Sequence, residues 1–262
     1  MLTASLVIHD SPLEQVLEAI ECIRRSTVEK IWIVYNGDIS KSSLYSDIPG
    51  TEFIPADNRG FGAGHNIALR KALEMGSRYH LVMNADISWT GDILLTLINH
   101  LDEDSSIGLI APEIRNSDGS LQYSCRKLPR PLHLLARRFL PRFIIKKQDD
   151  NYLLKHIDHT KPINAPYLLG CFMLFRCEAL KQVGMFDERF FLYPEDIDLT
   201  RRIHSKWKTI YLPEVSIVHS HNRQSYKSIK ILIVHLINMM RYFNKWGWLY
   251  DPERKKYNSR LK

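Results

Sequence analysis

The fold is decided by the stretch His80-Leu81-Val82-Met83-Asn84-Ala85-Asp86, in which a short apolar run ends in an asparagine and a carboxylate. Apolar runs of this length bounded by polar residues are typical of buried strands. Open α/β sheets bind their ligands at the carboxyl ends of the strands. Asp86 is therefore predicted to lie at a ligand site, where a single carboxylate can help to hold Mg²⁺ or Mn²⁺. The alternative is that Asp86 only starts the turn into the next helix.

The residues before this stretch alternate between strand and helix patterns. Strands are predicted at residues 6–8, 31–35 and 52–54, with a helix opening at Pro12 and another over residues 63–75. Such alternation implies right-handed crossovers and a mostly parallel sheet covered by helices on both faces. The sequence thus predicts an α/β, Rossmann-like nucleotide-binding architecture.

The second half is predicted to be less regular. Beyond Asp86 we expect a helix capped by Thr90, a strand at 107–110, a turn at 116–119, a strand at 172–175, and helices at 177–183 and from Glu195. Residues 125–165 are basic and interrupted by prolines, and they predict an irregular excursion with one short helix near residues 132–139. The chain reads as one domain with a helical tail.

Composition sets limits on the class of protein. The 262 residues are 45% hydrophobic, enough to bury a substantial core, and carry a net charge of +7, which indicates an anionic partner. The basic residues lie in no helix-turn-helix or RNA-recognition frame, so a nucleic-acid-binding protein, the nonenzymatic alternative, is supported by charge alone and no nucleic acid is expected. The amino terminus lacks an export pattern, and the four scattered cysteines fit free thiols, so we expect a cytoplasmic protein.

An acidic run follows an aromatic segment at the start of the helix predicted from Glu195. Glu195-Asp196-Ile197-Asp198 comes directly after Phe190-Phe191-Leu192-Tyr193-Pro194. Carboxylates in a first helical turn are favoured by the helix dipole, and Asp198 is expected to hold the helix and its arginines in place through a surface salt bridge with Arg201 or Arg202. Beside apolar residues, however, desolvation raises a carboxyl pKa toward the value that a general base needs. Both interpretations stay open at this point.

Two further features are weaker signals. The glycine-rich stretch Asn58-Arg59-Gly60-Phe61-Gly62-Ala63-Gly64-His65-Asn66 follows a predicted strand and opens a helix, so its backbone N–H groups could approach a phosphate. His219 and His221 follow an apolar strand, where a neutral imidazole could supply a metal ligand or serve the structure only.

Together these segments resemble the inverting family-2 glycosyltransferases of the GT-A fold, in particular their bacterial rhamnosyltransferase-like branch. The resemblance covers most of the chain in the expected order. Residues 58–66 are similar to that branch's glycine-rich segment, and Asn84-Ala85-Asp86 resembles its version of the metal-binding D-x-D. Leu169-Gly170-Cys171-Phe172-Met173-Leu174-Phe175-Arg176 and the run from Phe186 to Leu199 resemble the segments around the active-site helix, the second nearly residue for residue.

The resemblance implies a site as well as a fold. It makes Asp196 the general base, with Glu195 as second choice, and Asp86 and His219 the ligands of Mg²⁺ or Mn²⁺. It also implies that the nucleotide-sugar donor is bound by a longer set of residues: His9, Asn36, Asn58, Gly60, Gly62, Asn66, Asn84, Asp86 and Gly170. The chain departs from the family at Val34-Tyr35-Asn36, which has no aspartate for the nucleotide base, at His9-Asp10, and at Asn84, which leaves one carboxylate in the metal motif.

The resemblance implies sugar transfer with inversion of configuration. The first donor hypothesis is dTDP-rhamnose, and the second is a UDP-sugar (GlcNAc, Gal, Glc or galactofuranose). The implied acceptor is a polyprenyl-diphosphate-linked glycan of O-antigen or capsule synthesis. A sugar-phosphate nucleotidyltransferase is the other enzyme considered, but its glycine-rich loop would follow the first strand, where this chain has His9-Asp10-Ser11-Pro12. The oligomeric state is not predicted.

Domain limits follow from the same patterns. Residues 1–224 are expected to form the GT-A catalytic domain, with a nucleotide-binding half at 1–110 and an acceptor and catalytic half at 111–224. Residues 225–262 form an amphipathic, basic helix and tail. This tail either packs on the catalytic domain or rests on an anionic membrane, which would place the protein at the inner face of the cytoplasmic membrane.

Overall fold

A computed structural model describes residues 1–220 and 229–261 of the protein. The strands are β1 (Leu2–Ile8), β2 (Lys30–Tyr35), β3 (Glu52–Pro55), β4 (Tyr79–Met83), β5 (Ile87–Ser88), β6 (Ile107–Asn116), β7 (Leu121–Gln122), β8 (Cys125–Arg126), β9 (Ile163–Asn164), β10 (Tyr167–Leu168), β11 (Phe172–Arg176) and β12 (Lys208–His219). The helices are α1 (Leu13–Arg24), α2 (Ser43–Ser46), α3 (Phe61–Glu74), α4 (Ile93–Glu103), α5 (Pro131–Phe139), α6 (Arg142–Tyr152), α7 (Cys177–Val183), α8 (Glu195–His204), α9 (Ile229–Trp246) and α10 (Pro252–Ser259).

The central sheet has the strand order β3-β2-β1-β4-β11-β6-β12-β5, with β7 added to β6 and β9 to β12. The four strands β3, β2, β1 and β4 are parallel, and β6 is parallel to β12. Strand β11 runs antiparallel between β4 and β6. The predicted α/β architecture with a mostly parallel sheet is therefore confirmed, and the antiparallel strands belong to the half that follows Asp86.

Helices cover both faces of the sheet because most of its central strands carry apolar side chains on both sides. Leu2, Ala4, Leu6 and Ile8 of β1 pack in one core cluster with α1 and α4. On the other face, α3, α7 and α8 bury apolar side chains against β4, β6 and β11. Strands buried on both faces read as continuous apolar runs, which is why the sequence located them.

A buried polar chain interrupts the apolar face under α3. The Ser5 hydroxyl lies 2.8 Å from His65 Nδ1 and 2.9 Å from His80 Nε2, and the Thr3 hydroxyl lies 2.8 Å from His80 Nδ1. Both imidazoles are fully buried. Burial lowers the pKa of His80 to about 3 and holds the pKa of His65 well below its ordinary value, so both rings are neutral in the folded protein.

These two histidines predict acid-sensitive stability. Each ring is neutral when folded but binds a proton near pH 6.5 when unfolded, so their stabilising contribution is intact above pH 6.5 and is lost as the pH falls toward the folded-state pKa. We expect the free energy of unfolding to fall by up to about 1.4 kcal/mol per pH unit for each histidine between pH 6 and 4. Urea unfolding across that range would measure it. His80→Gln should reduce this slope, whereas His156→Gln, at an exposed histidine, should leave it unchanged; equal slopes in both variants would contradict the prediction.

Residues 125–165 are more regular than expected. The prediction of one short helix near residues 132–139 is met by α5, but α6 follows directly and β8 pairs with β10 as a separate two-stranded sheet. Helix α6 was missed because its apolar residues, lysines and acids stand in successive blocks and form no clean apolar stripe. Its few inward residues, Ile145 and Tyr152, are buried by tertiary packing.

Two predicted helix caps are also corrected. Helix α4 is capped by the Asp92 side chain, which accepts a hydrogen bond of 3.1 Å from the Leu95 N–H, and not by Thr90. Pro12 occupies the cap position of α1, one residue before the helix begins, and no side chain caps this helix. All four cysteines are free and buried, as predicted.

Helix α9 packs on the catalytic core through its inner face. Met239, Tyr242 and Phe243 are buried in a cluster with Phe190 and Ile197. Ile233, Ile237 and Met240, spaced at helical intervals, stay exposed. Within residues 1–220 and 229–261, no helix is both long and apolar enough to cross a membrane.

The predicted domain limits stay predictions, although two of them can be placed. The limit between residues 110 and 111 falls inside β6, and the sheet continues unbroken across it. Three predicted features lie outside the described residues: the limit at residues 224 and 225, the start of the predicted tail, and His221.

Candidate active site

Asp196 is buried in the first turn of α8, and three donors surround its carboxylate. Oδ1 accepts a hydrogen bond of 2.8 Å from the Ile197 N–H. Oδ2 accepts bonds of 3.1 Å from the Gly170 N–H and 3.3 Å from the Tyr167 hydroxyl. A Cβ at Gly170 would come within 2.9 Å of the Asp196 Cβ, so a glycine is required for this approach. Gly170, predicted to bind the donor, contacts the proposed base.

Glu195 lies beside Asp196 in a different environment. The side chain is buried, and its Oε2 atom has no hydrogen-bond partner within residues 1–220 and 229–261. Burial, and then the charge of Asp196, raise the pKa of Glu195 well above its ordinary value. Burial also raises the pKa of Asp196, but the N–H groups of Ile197 and Gly170 oppose that effect. The pKa values of the two carboxyls are thereby separated, so that Glu195 retains a proton at a pH where Asp196 is an anion.

Three residues that the sequence did not single out for this site support Asp196. The Tyr167 hydroxyl donates to it, and the Arg126 guanidinium lies 5.6 Å from the centre of the Tyr167 ring and 6.0 Å from that of Tyr152. Burial and the Asp196 charge hold the pKa of Tyr167 well above 10, so its hydroxyl remains a donor. Arg126 was noted only as one of a basic run. No spacing signal links these residues, because the pairing of β8 with β10 brings them together.

Asp86 and His219 meet at the end of the sheet. Strand β12 pairs antiparallel with β5, placing His219 opposite Ile87, and the Asp86 carbonyl accepts from the Ser220 N–H at 2.9 Å. His219 Nε2 lies 3.4 Å from Asp86 Oδ2. The other ring nitrogen, Nδ1, lies 3.0 Å from the Gln122 side-chain oxygen, which is an acceptor and so fixes the proton on Nδ1.

This pair fits a divalent cation. Neighbouring ligands of an octahedral ion at metal–oxygen distances of about 2.1 Å are about 3.0 Å apart, close to the separation observed. Burial opposes protonation of His219, but Cys171 and Asp86 outweigh it and raise the pKa of His219 to about 10; a proton and a metal ion compete for the same lone pair on Nε2. No group of three histidine, cysteine or acidic side chains with ligand geometry occurs in the described parts of the chain, so the described residues would supply only these two ligands.

The proposed base, Asp196, and the Asp86–His219 pair lie on the same edge of the sheet. The Asn84 N–H donates a 2.9 Å hydrogen bond to the Cys171 carbonyl, and the preceding residue, Gly170, donates to Asp196. Gly170 and Cys171, which directly precede β11, therefore contact Asp196 and the chain just before Asp86, respectively. The antiparallel position of β11 next to β4 produces this arrangement.

Three of the predicted donor-binding residues form a second cluster at the ends of β1, β2 and β3. His9 Nδ1 lies 2.9 Å from the Asn36 carbonyl and 3.5 Å from Asn58 Nδ2. Asn36 Nδ2 lies 3.5 Å from Asn58 Oδ1. The Asn36 Oδ1 atom is buried and unpaired within the described residues, so this cluster has an acceptor to offer. Their role in donor binding stays a prediction.

The glycine-rich segment contacts protein rather than open space. Gly60 has φ +102° and abuts the Phe191 carbonyl, and a Cβ on Gly62 would lie 2.7 Å from the Phe186 Cβ. The Asn66 side chain bonds both the N–H (3.0 Å) and the carbonyl (2.9 Å) of Phe186. These residues hold the segment that leads into α8, and donor binding by Gly60, Gly62 and Asn66 stays a prediction.

Asp198 corrects the expectation of a surface salt bridge. It is fully buried and bonds Arg202 Nε at 2.8 Å, Trp246 Nε1 at 2.8 Å and Lys245 Nζ at 2.7 Å. Arg201 points elsewhere and pairs with Asp251. Asp198 thus ties α8 to α9 and is occupied by structural contacts, as the hypothesis that it holds the helix in place required.

The strand order and the helices on both faces of the sheet form a GT-A fold, with the Asp86–His219 pair after β4 and the carboxylates that open α8. The solved structure of GalNAc-T7 with UDP, GalNAc and Mn²⁺ matches this fold with a TM-score of 0.65 at 12% identity, over 94% of this chain and 48% of that one. No family model matches the chain.

Sequence relatives narrow the resemblance. The N-acetylglucosaminyl-diphospho-decaprenol L-rhamnosyltransferase of Mycobacterium tuberculosis is 28% identical over 186 residues, 65% of this chain and 59% of the relative. Rhamnosyltransferase WbbL of Escherichia coli K12 is 28% identical over 201 residues, 74% of this chain and 73% of the relative. The chain thus spans about three fifths of the mycobacterial relative's length. The predicted resemblance to the rhamnosyltransferase-like branch is confirmed.

Proposed function

We propose that the protein is an inverting, family-2 glycosyltransferase that moves L-rhamnose from dTDP-rhamnose to a hydroxyl of a polyprenyl-diphosphate-linked glycan in bacterial surface polysaccharide synthesis. The observation that carries the proposal is the buried, hydrogen-bonded Asp196 carboxylate on the same sheet edge as the Asp86–His219 pair. The names of the two rhamnosyltransferase relatives support the sugar, and the mycobacterial relative's name supports a diphospho-polyprenol acceptor.

In this proposal Asp196 is the general base. Its Oδ1 atom accepts one hydrogen bond and Oδ2 accepts two, so Oδ1 is the more basic oxygen and takes the proton of the acceptor hydroxyl. The hydroxyl oxygen attacks the anomeric carbon as the nucleoside diphosphate leaves from the opposite face, which inverts the configuration. Tyr167 and Gly170 fix the carboxylate, and the neutral Glu195 adds no competing charge beside it.

Asp86 and His219 would hold Mg²⁺ or Mn²⁺, with donor phosphates and water completing the coordination. When bound, the metal offsets the negative charge that develops on the departing diphosphate. GalNAc-T7, which shares the fold, holds Mn²⁺ with UDP in its solved structure. Asn84 and the cluster of His9, Asn36 and Asn58 would bind the remainder of the donor.

Removing the proposed metal ligand Asp86 should weaken only the part of nucleotide binding that depends on the metal. We expect Asp86→Asn to weaken Mn²⁺-dependent binding of dTDP or UDP by at least about 10- to 100-fold, the loss already caused by removing an outer-shell partner, because Asp86 is proposed as a direct ligand. Binding in EDTA should not change. Calorimetry of nucleotide binding and Mn²⁺ electron spin resonance measure this directly. Asp47→Asn, at an exposed acid on another surface, is the matched control; the same Mn²⁺ affinity in the Asp86 variant and the control would remove Asp86 as a ligand.

The activity can be tested by offering several donors to one acceptor. A thermal-shift screen of dTDP-rhamnose, UDP-GlcNAc, UDP-galactose and UDP-glucose with Mn²⁺ selects the donor, followed by transfer of radiolabelled sugar to a GlcNAc-diphospho-polyprenol. We expect the largest shift and transfer with dTDP-rhamnose. The UDP-sugars are the second candidate because GalNAc-T7, which shares the fold, binds UDP. Transfer from none of them would refute the proposed function.

A further inference from the structure

The hairpin formed by α5 and α6 presents an apolar outer surface. Leu132 is 75% exposed and Phe143 80% exposed, and Leu140 and Ile144 are about half exposed. The inner surface of the same hairpin is used for packing, since Ile145 and Tyr152 are buried. An exposed apolar strip next to a packed one indicates that the outer surface has a partner of its own.

The same hairpin is strongly basic. Residues 126–152 contain eight lysines and arginines and two acids, Asp149 and Asp150, a net charge of +6 against +7 for the whole chain. Lys146 and Lys147 are exposed and form no ion pair with any residue that the structure describes. With Phe143, Ile144 and His156 they line an open groove of about 610 Å³. Apolar and cationic side chains therefore share one surface.

A second exposed segment lies beside the hairpin. Trp248, Leu249 and Tyr250 are exposed, Leu249 at 91%. The Arg254 guanidinium donates to the Trp248 carbonyl at 3.0 Å and to the Pro129 carbonyl at 3.4 Å, which joins this segment to the residue just before α5. Tryptophan and tyrosine with adjacent lysines are typical of protein surfaces at a membrane interface.

The base of the hairpin lies at the proposed active site. It leaves the two-stranded sheet after Arg126 and returns at Tyr152, and the Lys127 N–H closes it with a 3.0 Å hydrogen bond to the Tyr152 carbonyl. Arg126 and Tyr152 flank Tyr167, the donor to Asp196. The hairpin is therefore anchored at its base beside Tyr167, which donates to the proposed base Asp196.

We propose that the α5–α6 hairpin and the segment 248–250 dock the protein on an anionic lipid bilayer. Phe143, Ile144, Leu249 and Tyr250 enter the interface, and Lys146 and Lys147 contact lipid phosphates. Charge complementarity decides the occupant: a surface that is both cationic and apolar matches the negative headgroups and acyl boundary of such a bilayer. The docking itself does not depend on sugar transfer. Only its consequence, the presentation of a lipid-linked acceptor to Asp196, rests on the proposed function.

Liposome flotation tests the docking without any sugar donor. The full-length protein should float with vesicles of three parts phosphatidylcholine to one part phosphatidylglycerol at low salt, and float weakly with pure phosphatidylcholine or at 0.5 M NaCl. Lys146→Gln with Lys147→Gln should reduce partitioning about 30-fold, and Phe143→Ser about 10-fold. The matched controls, Lys41→Gln with Lys181→Gln and Leu95→Ser, change exposed residues elsewhere and should float as the unchanged protein does.

Circular dichroism and thermal melting establish that each variant is folded; since the substituted side chains are exposed, all should melt within a few degrees of one another. Equal flotation of the hairpin variants and their controls would overturn the proposal, as would absence of flotation at low salt. A dimer in light scattering that Phe143→Ser dissolves, without flotation, would instead make this surface a self-association interface. Flotation that persists in a protein without transferase activity would support the docking and refute only the proposed function.

Discussion

Asp196→Asn should lower the rate of sugar transfer by about 10²- to 10⁴-fold, the range that a positioned general base contributes. Asparagine has nearly the same shape as aspartate, and its side-chain oxygen can keep accepting from Gly170 and Tyr167, but it takes no proton from the acceptor hydroxyl. Donor binding should stay within about twofold, because Asp196 does not contact the Asp86–His219 pair. Single-turnover transfer assays and calorimetry of donor binding measure the two quantities separately.

Glu195→Gln is the matched control for this experiment. Burial and the neighbouring charge keep Glu195 protonated, so a glutamine reproduces its neutral form. We expect this variant to lose less than about tenfold in rate, against the much larger loss at Asp196. The reverse order of effects would make Glu195 the base and Asp196 its structural neighbour.

The largest stability effect should come from Asp251→Asn. Arg201 of α8 and Asp251 form two hydrogen bonds, of 2.8 and 2.6 Å, and their side chains are 2% and 1% exposed. The Trp246 ring centre lies 3.9 Å from the guanidinium carbon and shields the pair from water. Removing the carboxylate leaves a buried positive charge, which costs about 3–5 kcal/mol and lowers the melting temperature by roughly 10 °C.

Glu253→Gln changes the same cluster without this cost. Its carboxylate also lies 3.1 Å from Arg201, but the side chain is 44% exposed, so solvent screens the pair and the loss should stay below about 1 kcal/mol. In the Asp251→Asn variant the asparagine can still cap α10 as Asp251 does. The difference in stability between the two variants therefore reports the cost of the buried charge. Urea unfolding of both proteins measures it, and similar stabilities would show that Glu253 alone satisfies Arg201.

The sequence located the elements whose signal is local. The second half of β1 (residues 6–8), β2, β4 and β11 are largely buried and contain short apolar runs, and α7 was predicted at its observed limits. Asp86 and the acidic opening of α8 were also located from local signals, because Asp86 follows an apolar strand and the acids begin a helix. Helix α6 was missed because its burial depends on packing against other segments.

The candidate site shows the same division between local and distant information. Sequence could not separate Glu195 from Asp196, since adjacent carboxyls differ only in what surrounds them. The structure separates them through Gly170 and Tyr167, which are 26 and 29 residues away from Asp196. Asp198 was assigned to the correct structural purpose, but its burial and its contacts with α9 depend on Trp246 and Lys245.

The sequence by itself determined the alternating strands and helices, the carboxylate at the end of β4 and the acidic start of α8. Hydrophobic periodicity and residue order within a few positions are enough to specify these features. The tertiary structure alone decided which carboxyl is an anion, that His219 faces Asp86, and that the α5–α6 hairpin begins and ends beside Asp196. Hydrogen bonds, desolvation and charge act between groups that are distant in sequence, so only their positions in space determine their strength.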